Sequence, residues 1–463
     1  MNILVCIRQG RDGEINPFDA CAYEAALQIS GASVTILSMG PESTKDFLTN
    51  LTRLGAQKGI LLTDKAFAGA DTLATAYTLA LAAKKIKPDL IFCGRQTLEG
   101  DTAQVGPMLA IKTGYSLITN VLEIQGVSES ITCKTRYKDI EVAKLPALIT
   151  VERINQLRRP SIRSKLAEIE VWNADTIMAD KSRCGLIGSP TRVIKTYENE
   201  SGKRKCEFIS PADINKVISE ALSREKLNIK TYGNVPKSLK KVYIVGSEPM
   251  EFAKSVSEDI TVLEKSDENT IADIIKREQP SAVLWASDIW SKRCAAKVAA
   301  MLDLGLCADC TMLETDGEKL IMYRPALSGS IIAKIESLTT PAMATVRTTD
   351  ENVTNILVTA GFGVRDYMPQ IREFAARIGA ELGATRKAVD NNFMPYDKQI
   401  GLTGKTVSPP VYIAIGVSGA VHHIVGMQRA GTVIAINPDR DAPIFEYADY
   451  GIVADFEDIY KHL

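Results

Sequence analysis

Leu90-Ile-Phe-Cys93 runs directly into Gly94-Arg-Gln-Thr-Leu-Glu-Gly-Asp-Thr-Ala-Gln-Val-Gly-Pro107, and the reading of this join decides the fold. The four apolar residues read as a short buried strand. Gly94 and Gly100 let a backbone or ligand approach closely, and Asp101 and Thr102 suit the cap of a following helix. Strand, glycine loop and helix together form the repeating step of an open parallel sheet, whose ligands bind beyond the carboxyl ends of the strands. Amides at the helix start would attract a phosphate. Taken alone, an ordinary capped loop reads the same way, so the rest of the chain must decide.

Working outward, the same step recurs. Upstream, strands expected over residues 3–7, 34–38 and 60–62 alternate with helices over residues 19–29, 42–54 and 72–85. Such alternation implies a parallel, doubly wound sheet. Residues 117–151 are β-rich, with alternation over 130–135 and an apolar run over 147–151. Between residues 191 and 241 the pattern loses its strands, carries the charged run Glu198-Asn-Glu-Ser-Gly-Lys-Arg-Lys205, and keeps one helical stretch near 211–224, so it reads as a connector. A second series opens with Lys241-Val-Tyr-Ile-Val-Gly246 and continues with helices near 250 and 270, a strand over 282–285 and a helix over 291–302. A third predicts a strand at 355–359, a helix over 369–382, a strand at 411–415, a helix near 421–429 and a strand at 433–436. The fold class is therefore α/β, with three segments of doubly wound parallel-sheet type and nucleotide-binding architecture.

Size and composition agree. At 463 residues the chain exceeds what one hydrophobic core supports, and 45% hydrophobic with 24% charged residues is ordinary for a globular protein. The formal net charge of -1 gives no field for nucleic acid or an anionic membrane. The apolar run near Met1 is too short for a signal-peptide core, and no later stretch is long enough to span a bilayer, so a cytoplasmic location is expected. Nine cysteines are scattered through apolar runs and read as reduced, buried thiols. Cys307-Ala-Asp-Cys310 alone has the spacing of a metal or redox pair, but no second pair completes a tetrahedral site, so no metal is assigned.

Four further segments carry polar and glycine residues. Ala66-Phe-Ala-Gly-Ala-Asp71 leads into the helix at Thr72, with Asp71 as its cap. Gly416-Val-Ser-Gly-Ala-Val-His-His423 follows a strand and suits a pyrophosphate or a flavin edge, although it lacks the full GxGxxG spacing. Two of only three histidines are adjacent here, which favours a functional role. Gly383-Ala-Thr-Arg-Lys-Ala-Val-Asp390 and Gln399-Ile-Gly-Leu-Thr-Gly-Lys405 offer Thr385, Thr403 and the Arg386 guanidinium at the same sheet edge. A fixed cation beside a flavin raises its affinity for an electron, and Arg386 is the choice for that role.

Together these segments resemble the electron-transfer flavoproteins over nearly the whole chain. The carboxyl part is similar to the α subunit through Gly305-Leu-Cys-Ala-Asp-Cys-Thr311, Tyr323-Arg-Pro-Ala326, Pro341-Ala-Met-Ala-Thr-Val-Arg347, the Gly383, Gln399 and Gly416 segments and Ala435-Ile-Asn-Pro-Asp439. The amino part is similar to the β subunit through Asn16-Pro-Phe-Asp19, Ser38-Met-Gly-Pro41 and the Gly94 loop. The resemblance implies a single-chain fusion with a β-subunit-like nucleotide-binding domain at 1–195, a linker at 196–240, an α-subunit amino-terminal domain at 241–347 and an FAD domain at 348–463.

By that resemblance an α-type FAD is held by Thr385, Arg386, Ile400, Gly401, Leu402, Thr403, Gly416, Val417, Ser418, Gly419, Ala420, Val421, His422, His423, Asn437 and Asp455. Arg386, Thr385, Thr403 and His423 are expected to tune the flavin, with no covalent catalysis. The β-type site draws on Cys6, Asn16, Pro17, Phe18, Asp19, Met39, Gly94, Gln96, Gly100, Asp101, Thr102, Ala103, Gln104 and Val105. Conventional members put AMP there; electron-bifurcating members put a second FAD there and reduce it with NADH. Residues 66–75, 99–107 and 188–193 look like the bifurcating group, which favours two FADs, with ferredoxin or flavodoxin and an acyl-CoA dehydrogenase-type flavoenzyme as acceptors. The alternatives are a conventional carrier with one FAD and AMP, between a dehydrogenase and a quinone reductase, and a redox-inactive nucleotide-binding regulator. The chain departs from the family at Phe362, where an arginine is usual, and at Leu402 and His422, where glutamines are usual.

Overall fold

The computed structural model describes residues 1–11, 13–152, 156–198, 203–223, 238–327, 331–348, 355–395, 398–401, 404–405 and 407–460. These fall into two compact units. The first comprises the described residues within 1–196, 235–327 and 333–346, and the second those within 197–234, 328–332 and 347–463.

The first unit is built on a nine-stranded sheet. From one edge its strands are Glu141–Lys144, Ser130–Thr135, Ser116–Val127, Ala147–Val151, Leu90–Gly94, Asn2–Cys6, Ser33–Met39, Lys58–Leu62 and Ile169–Trp172. Pairing is parallel from Ser116–Val127 through to Ile169–Trp172 and antiparallel only at the hairpin edge. The central strands are apolar throughout because helices cover both faces. Ile3, Val5, Leu90 and Phe92 face the helices Pro17–Leu27 and Thr44–Thr52. Leu4, Cys6, Ile91 and Cys93 face Thr72–Ile86 and Val105–Thr113.

A second, five-stranded sheet in this unit is wholly parallel, in the order Ile260–Leu263, Val242–Val245, Ala282–Ala286, Ala342–Val346 and Leu306–Cys310. Its helix Ile289–Leu302 packs on Val105–Thr113, so one apolar layer joins the two sheets. The first unit also contains most of a four-stranded sheet formed by Thr191–Glu198, Ile331–Ser337, Leu320–Ala326 and Met312–Thr315.

The second unit has a six-stranded parallel sheet, ordered Glu207–Phe208, Tyr450–Ile452, Thr432–Ile436, Val411–Ile415, Ile356–Ala360 and Glu381–Ala384. Here the structure departs from the sequence expectation in two places. The helix expected over 369–382 spans Met368–Arg377; Gly379 then takes φ 65°, and residues Glu381–Ala384 form a strand. The segment read as a connector without strands holds two, Thr191–Glu198 and Glu207–Phe208, and the helix Ile214–Ser223. The first of these strands is almost wholly exposed and so leaves no alternating pattern. The helix buries Ile214, Val217, Ile218 and Ala221 in the core of the second unit. Among the described residues no helix is long and apolar enough to cross a membrane.

Arg204 fastens the start of that segment. Its guanidinium pairs with the Asp449 carboxylate and donates to the carbonyls of Ala430 (2.6 Å) and Gly431 (2.7 Å). Arg204→Ala is expected to cost roughly 2 kcal/mol, the scale of charge-assisted hydrogen bonds left without their donor. Faster amide exchange in Thr432–Ile436 would report it. An effect below about 0.5 kcal/mol, typical of an inert surface change, would show the edge strand to be peripheral.

Candidate functional site

In the nine-stranded sheet the chain leaves Asn2–Cys6 towards Ser33–Met39 and Lys58–Leu62, then returns on the other side at Leu90–Gly94. The loops after Cys6 and Gly94 therefore part, and the crevice between them is the topological switch point where α/β sheets bind ligands. A cavity of about 970 Å³ lies there, at the top of the roughly 300–1,000 Å³ typical of ligand pockets. Its walls include Met39, Asp71, Gly94 and Gln104, with Cys307 lining it from the five-stranded sheet and Arg324 from the four-stranded one.

Asp19 and Asn16 hold the two diverging loops. Asp19, 5% exposed, accepts hydrogen bonds from the backbone N–H of Arg8 (2.9 Å) and of Gly94 (3.1 Å). Asn16 donates to the Gln96 carbonyl at 2.9 Å and accepts from the Leu98 N–H at 3.3 Å. A Cβ on Gly94 would stand 2.4 Å from the Asp19 carboxylate, so only glycine permits this clasp. Burial pushes the Asp19 carboxyl up to about 7 against the hydrogen bonds that favour its ionised form. It is thus stabilising while protonated, and that contribution fades as pH rises from 3.8 through about 7.

Of the residues expected here, Cys6, Asp19, Met39, Gly94, Gln96, Gly100, Thr102, Ala103, Gln104 and Val105 line the cavity, whereas Asn16, Pro17, Phe18 and Asp101 stand behind its wall. Asp101 accepts from the Gln96 side chain at 3.1 Å and takes φ 51°, which shapes the loop rather than its surface. Asp71 lines the cavity and caps Thr72–Ile86: one oxygen accepts from Leu73 and Ala74, the other from Thr191. Gln104 accepts from the Thr72 hydroxyl at 2.7 Å and donates to the Leu306 carbonyl at 3.3 Å.

Arg95 is the cation that the sequence did not distinguish from its neighbours. It lines the cavity with its side chain 9% exposed, and its Nη2 has no hydrogen-bond partner. Its Nε lies 3.3 Å from the buried carboxylate of Glu152, which also pairs with Arg136 at 3.2 Å. Two guanidinium groups thus share this one buried carboxylate. Arg324 adds a second buried guanidinium, donating to the Gly100 carbonyl at 2.7 Å. A glycine-permitted wall and buried cations suit a phosphate-bearing ligand.

The second unit repeats the switch point between Ile356–Ala360 and Val411–Ile415. The Gly361 N–H donates to Ile415 at 2.8 Å, and a Cβ on Gly361 would lie 1.9 Å from the Gly416 carbonyl, so the two glycine loops emerge in contact. Thr385 and Arg386 sit at the carboxyl end of Glu381–Ala384; Arg386 is partly exposed and pairs with Asp390 at 3.3 Å. Ser418, Ala420 and Val421 are exposed, and His422 is half-buried, along the Gly416 loop. Val417 is buried, and Asn437 donates to its carbonyl at 3.0 Å. Gly419 takes φ 88°, with the backbone of Ile444 where a Cβ would be. Gly401 packs on the His422 carbonyl, while Asp455 is exposed and accepts from the Phe456 N–H. Leu402 and Thr403 lie outside the described residues.

His423, expected to tune a flavin, is a core residue. Its Nδ1 bonds the Ile400 carbonyl at 3.2 Å and its Nε2 the Tyr412 hydroxyl at 2.8 Å, so both ring nitrogens are taken within the protein. Ile400 is 3% exposed, so His423 fixes the segment that carries it. Phe362 replaces the usual arginine, yet positive charge is present: Lys387 Nζ lies 4.3 Å from its ring centroid and Arg365 Cζ 5.4 Å.

The second sheet of the first unit also has a switch point, between Val242–Val245 and Ala282–Ala286. Lys265 spans it, pairing with Glu248 at 2.6 Å and Asp288 at 3.4 Å.

The electron transfer flavoprotein domain model matches residues 3–177 and 261–355, and the electron transfer flavoprotein FAD-binding domain model matches residues 352–428. Protein FixA of Azorhizobium caulinodans is 40% identical over 242 residues, 47% of this chain and 86% of that protein. The electron transfer flavoprotein subunit beta of Clostridium acetobutylicum is 41% identical over 206 residues, 42% of this chain and 79% of its own. The subunit alpha of Thermoanaerobacterium thermosaccharolyticum is 36% identical over 231 residues, 40% of this chain and 70% of its own.

Burial holds the His423 imidazolium down to about 4, against 6.5 when free. Its neutral form stabilises the second unit fully above pH 6.5, and that contribution is lost as pH falls towards 4. The shift corresponds to about 3 kcal/mol. Denaturation at pH 7 and pH 4.5 is expected to show the loss, and His423→Gln to flatten it; equal slopes in both proteins would overturn the assignment.

Proposed function

The chain belongs to the electron transfer flavoprotein family, with a β-type part ahead of an α-type part in one polypeptide, and from this we propose that it carries two FADs and bifurcates electrons. In this reading residues 1–195 are the β-type nucleotide domain, 241–347 the α-type amino-terminal domain and 348–463 the FAD domain, with NADH as the donor. A low-potential carrier of ferredoxin or flavodoxin type and an acyl-CoA dehydrogenase-type flavoenzyme are the acceptors.

The observation that carries the two-flavin reading is the cavity of about 970 Å³ at the first switch point. AMP has fewer than half the heavy atoms of FAD and would leave much of that space unfilled. Arg95 supports the same reading, since its unpartnered Nη2 would be a donor for an anionic group of a bound nucleotide. In the second unit Arg386 and Lys387 supply fixed positive charge beside the glycine loops. Bound FAD supplies the capacity to take and release electrons singly or in pairs. The chain's own task is to fix the charges, shape the cavities and exclude water; no side chain need act as a nucleophile.

Nucleotide content per chain after denaturation, followed by anaerobic NADH titration in the flavin bands, tests this. Two FADs, both bleached by NADH, are expected, with Arg95→Gln losing the nucleotide of the first unit at least about tenfold more readily. One FAD with one AMP and no response to NADH would leave a conventional carrier. No nucleotide in either site would leave a redox-inactive regulator.

A further inference from the structure

Cys307 and Cys310 lie on the strand Leu306–Cys310, and residues three apart on a regular strand point to opposite faces. Here they do not. Cys307 pairs with Ala344 and Cys310 with Val346, so three steps on this strand match two on its neighbour. The extra residue is absorbed at Asp309, which takes φ 60°. Ala344 and Val346 share a face, and the bulge brings both thiols to one side, into one apolar cluster. Two strand steps amount to about 6.6 Å, inside the roughly 4.4–6.8 Å of Cα separation that a disulfide bridges. The Cys310 Sγ stands 3.8 Å from the Cys307 carbonyl.

The pair is also placed asymmetrically. Cys307, 2% exposed, forms part of the cavity wall together with Arg324, whereas Cys310, 0% exposed, does not line the cavity. A hydrogen bond from the Cys310 thiol, then the charge of Arg324, hold the Cys307 thiol below the usual range. Burial and contact with Cys307 hold the Cys310 thiol well above that range, as contact with Cys6 and burial hold Cys93, which faces Cys6 in register and lines the same cavity with it. A front thiol favouring its thiolate and a second thiol beside it is the arrangement of an attacking and a resolving cysteine.

We propose that Cys307 and Cys310 form a redox-active dithiol that undergoes thiol–disulfide exchange with small-molecule disulfides entering the nucleotide cavity. The Cys307 thiolate attacks one sulfur of the small disulfide, forms a mixed disulfide and releases one thiolate. Cys310 then gives up its proton and attacks the Cys307 sulfur, closing the internal disulfide and releasing the second thiolate, which takes that proton. Two cysteines are oxidised and one small disulfide is reduced to two thiols. An occupied cavity shields Cys307, so oxidation reports whether the site is filled.

The test uses the full chain, stripped of nucleotide, treated with 4,4′-dithiodipyridine, quenched, alkylated and digested with trypsin. Cys307 and Cys310 share the peptide 298–319, Cys6 lies in 1–8, Cys93 in 86–95 and Cys206 in 206–216. The expected product is peptide 298–319 lighter by two hydrogens and unalkylated, while peptides 1–8 and 86–95 are alkylated. In Cys310→Ser, Cys307 should instead retain the thiopyridyl group. Peptide 298–319 recovered fully alkylated, a mixed disulfide persisting on it in the unaltered chain, or a 1–8 to 86–95 crosslink in its place would each overturn the proposal. Added FAD or AMP should slow the oxidation at least tenfold, and an unchanged rate with nucleotide demonstrably bound would rule out access through the cavity. Disulfide formation in a chain that binds neither nucleotide would instead sink the proposed role of the cavity and leave the dithiol standing.

Discussion

Everything at the first site depends on the reversal of winding about one strand. Asn2–Cys6 has Ser33–Met39 on one side and Leu90–Gly94 on the other, so the loops leaving its end and that of Leu90–Gly94 run apart. No side chain of the sheet can fill the gap, and loop backbone would lie unpaired beside it unless something held it. Asp19 and Asn16 do this by taking backbone groups from both loops, which leaves the crevice open but rigid. The carboxylate accepting two backbone N–H groups is therefore structural first, and its raised pKa follows from the burial that the clasp demands.

The charges around the cavity follow from the same geometry. Arg95 follows Gly94, where the chain must turn away from the sheet, and its guanidinium is caught between the Phe18 ring and Glu152. Glu152 in turn follows the neighbouring strand Ala147–Val151 and is shared with Arg136. The position of the Arg95 guanidinium is thus set by two adjacent strand ends and needs no flexible surface residue. At the second sheet the corresponding gap is spanned by Lys265 between two carboxylates, so the same topology yields an ion-pair network in one place and a ligand cavity in another.

Much of this was legible in the sequence because buried parallel strands are short apolar runs followed by glycine. Ile356–Ala360 and Val411–Ile415 run into Gly361 and Gly416 in this way, while Thr432–Ile436 shows the apolar run alone, ahead of Asn437. What escaped were elements whose pattern carries no contrast. Thr191–Glu198 is exposed along nearly its whole length, and Glu381–Ala384 is split between the helix expected over 369–382 and the glycine segment that follows from Gly383. Site residues divided in a similar way. Glycines in loops declare a need for space, so Gly94 and Gly416 could be placed; a histidine declares only a titratable ring, and whether His423 meets a ligand or Tyr412 depends on packing that sequence spacing does not encode.

The same limit explains the cysteines. Spacing alone cannot say whether a CxxC on a strand is a pair, because two residues three apart fall on opposite faces unless the strand is irregular. Register with Ala344 and Val346 supplies the missing fact, and Asp309 in the left-handed region supplies its cause. That conformation is held by the Asp309 N–H donating to the Thr345 hydroxyl at 2.8 Å. A bulge in the five-stranded sheet therefore faces a cavity lined also by the nine-stranded sheet and by Thr191, Arg324 and Ile335 of the four-stranded one, and the two larger sheets of the first unit meet through the layer in which Val105–Thr113 packs on Ile289–Leu302. The second sheet, with its own switch point taken by Lys265, contributes to ligand chemistry by closing its neighbour's cavity.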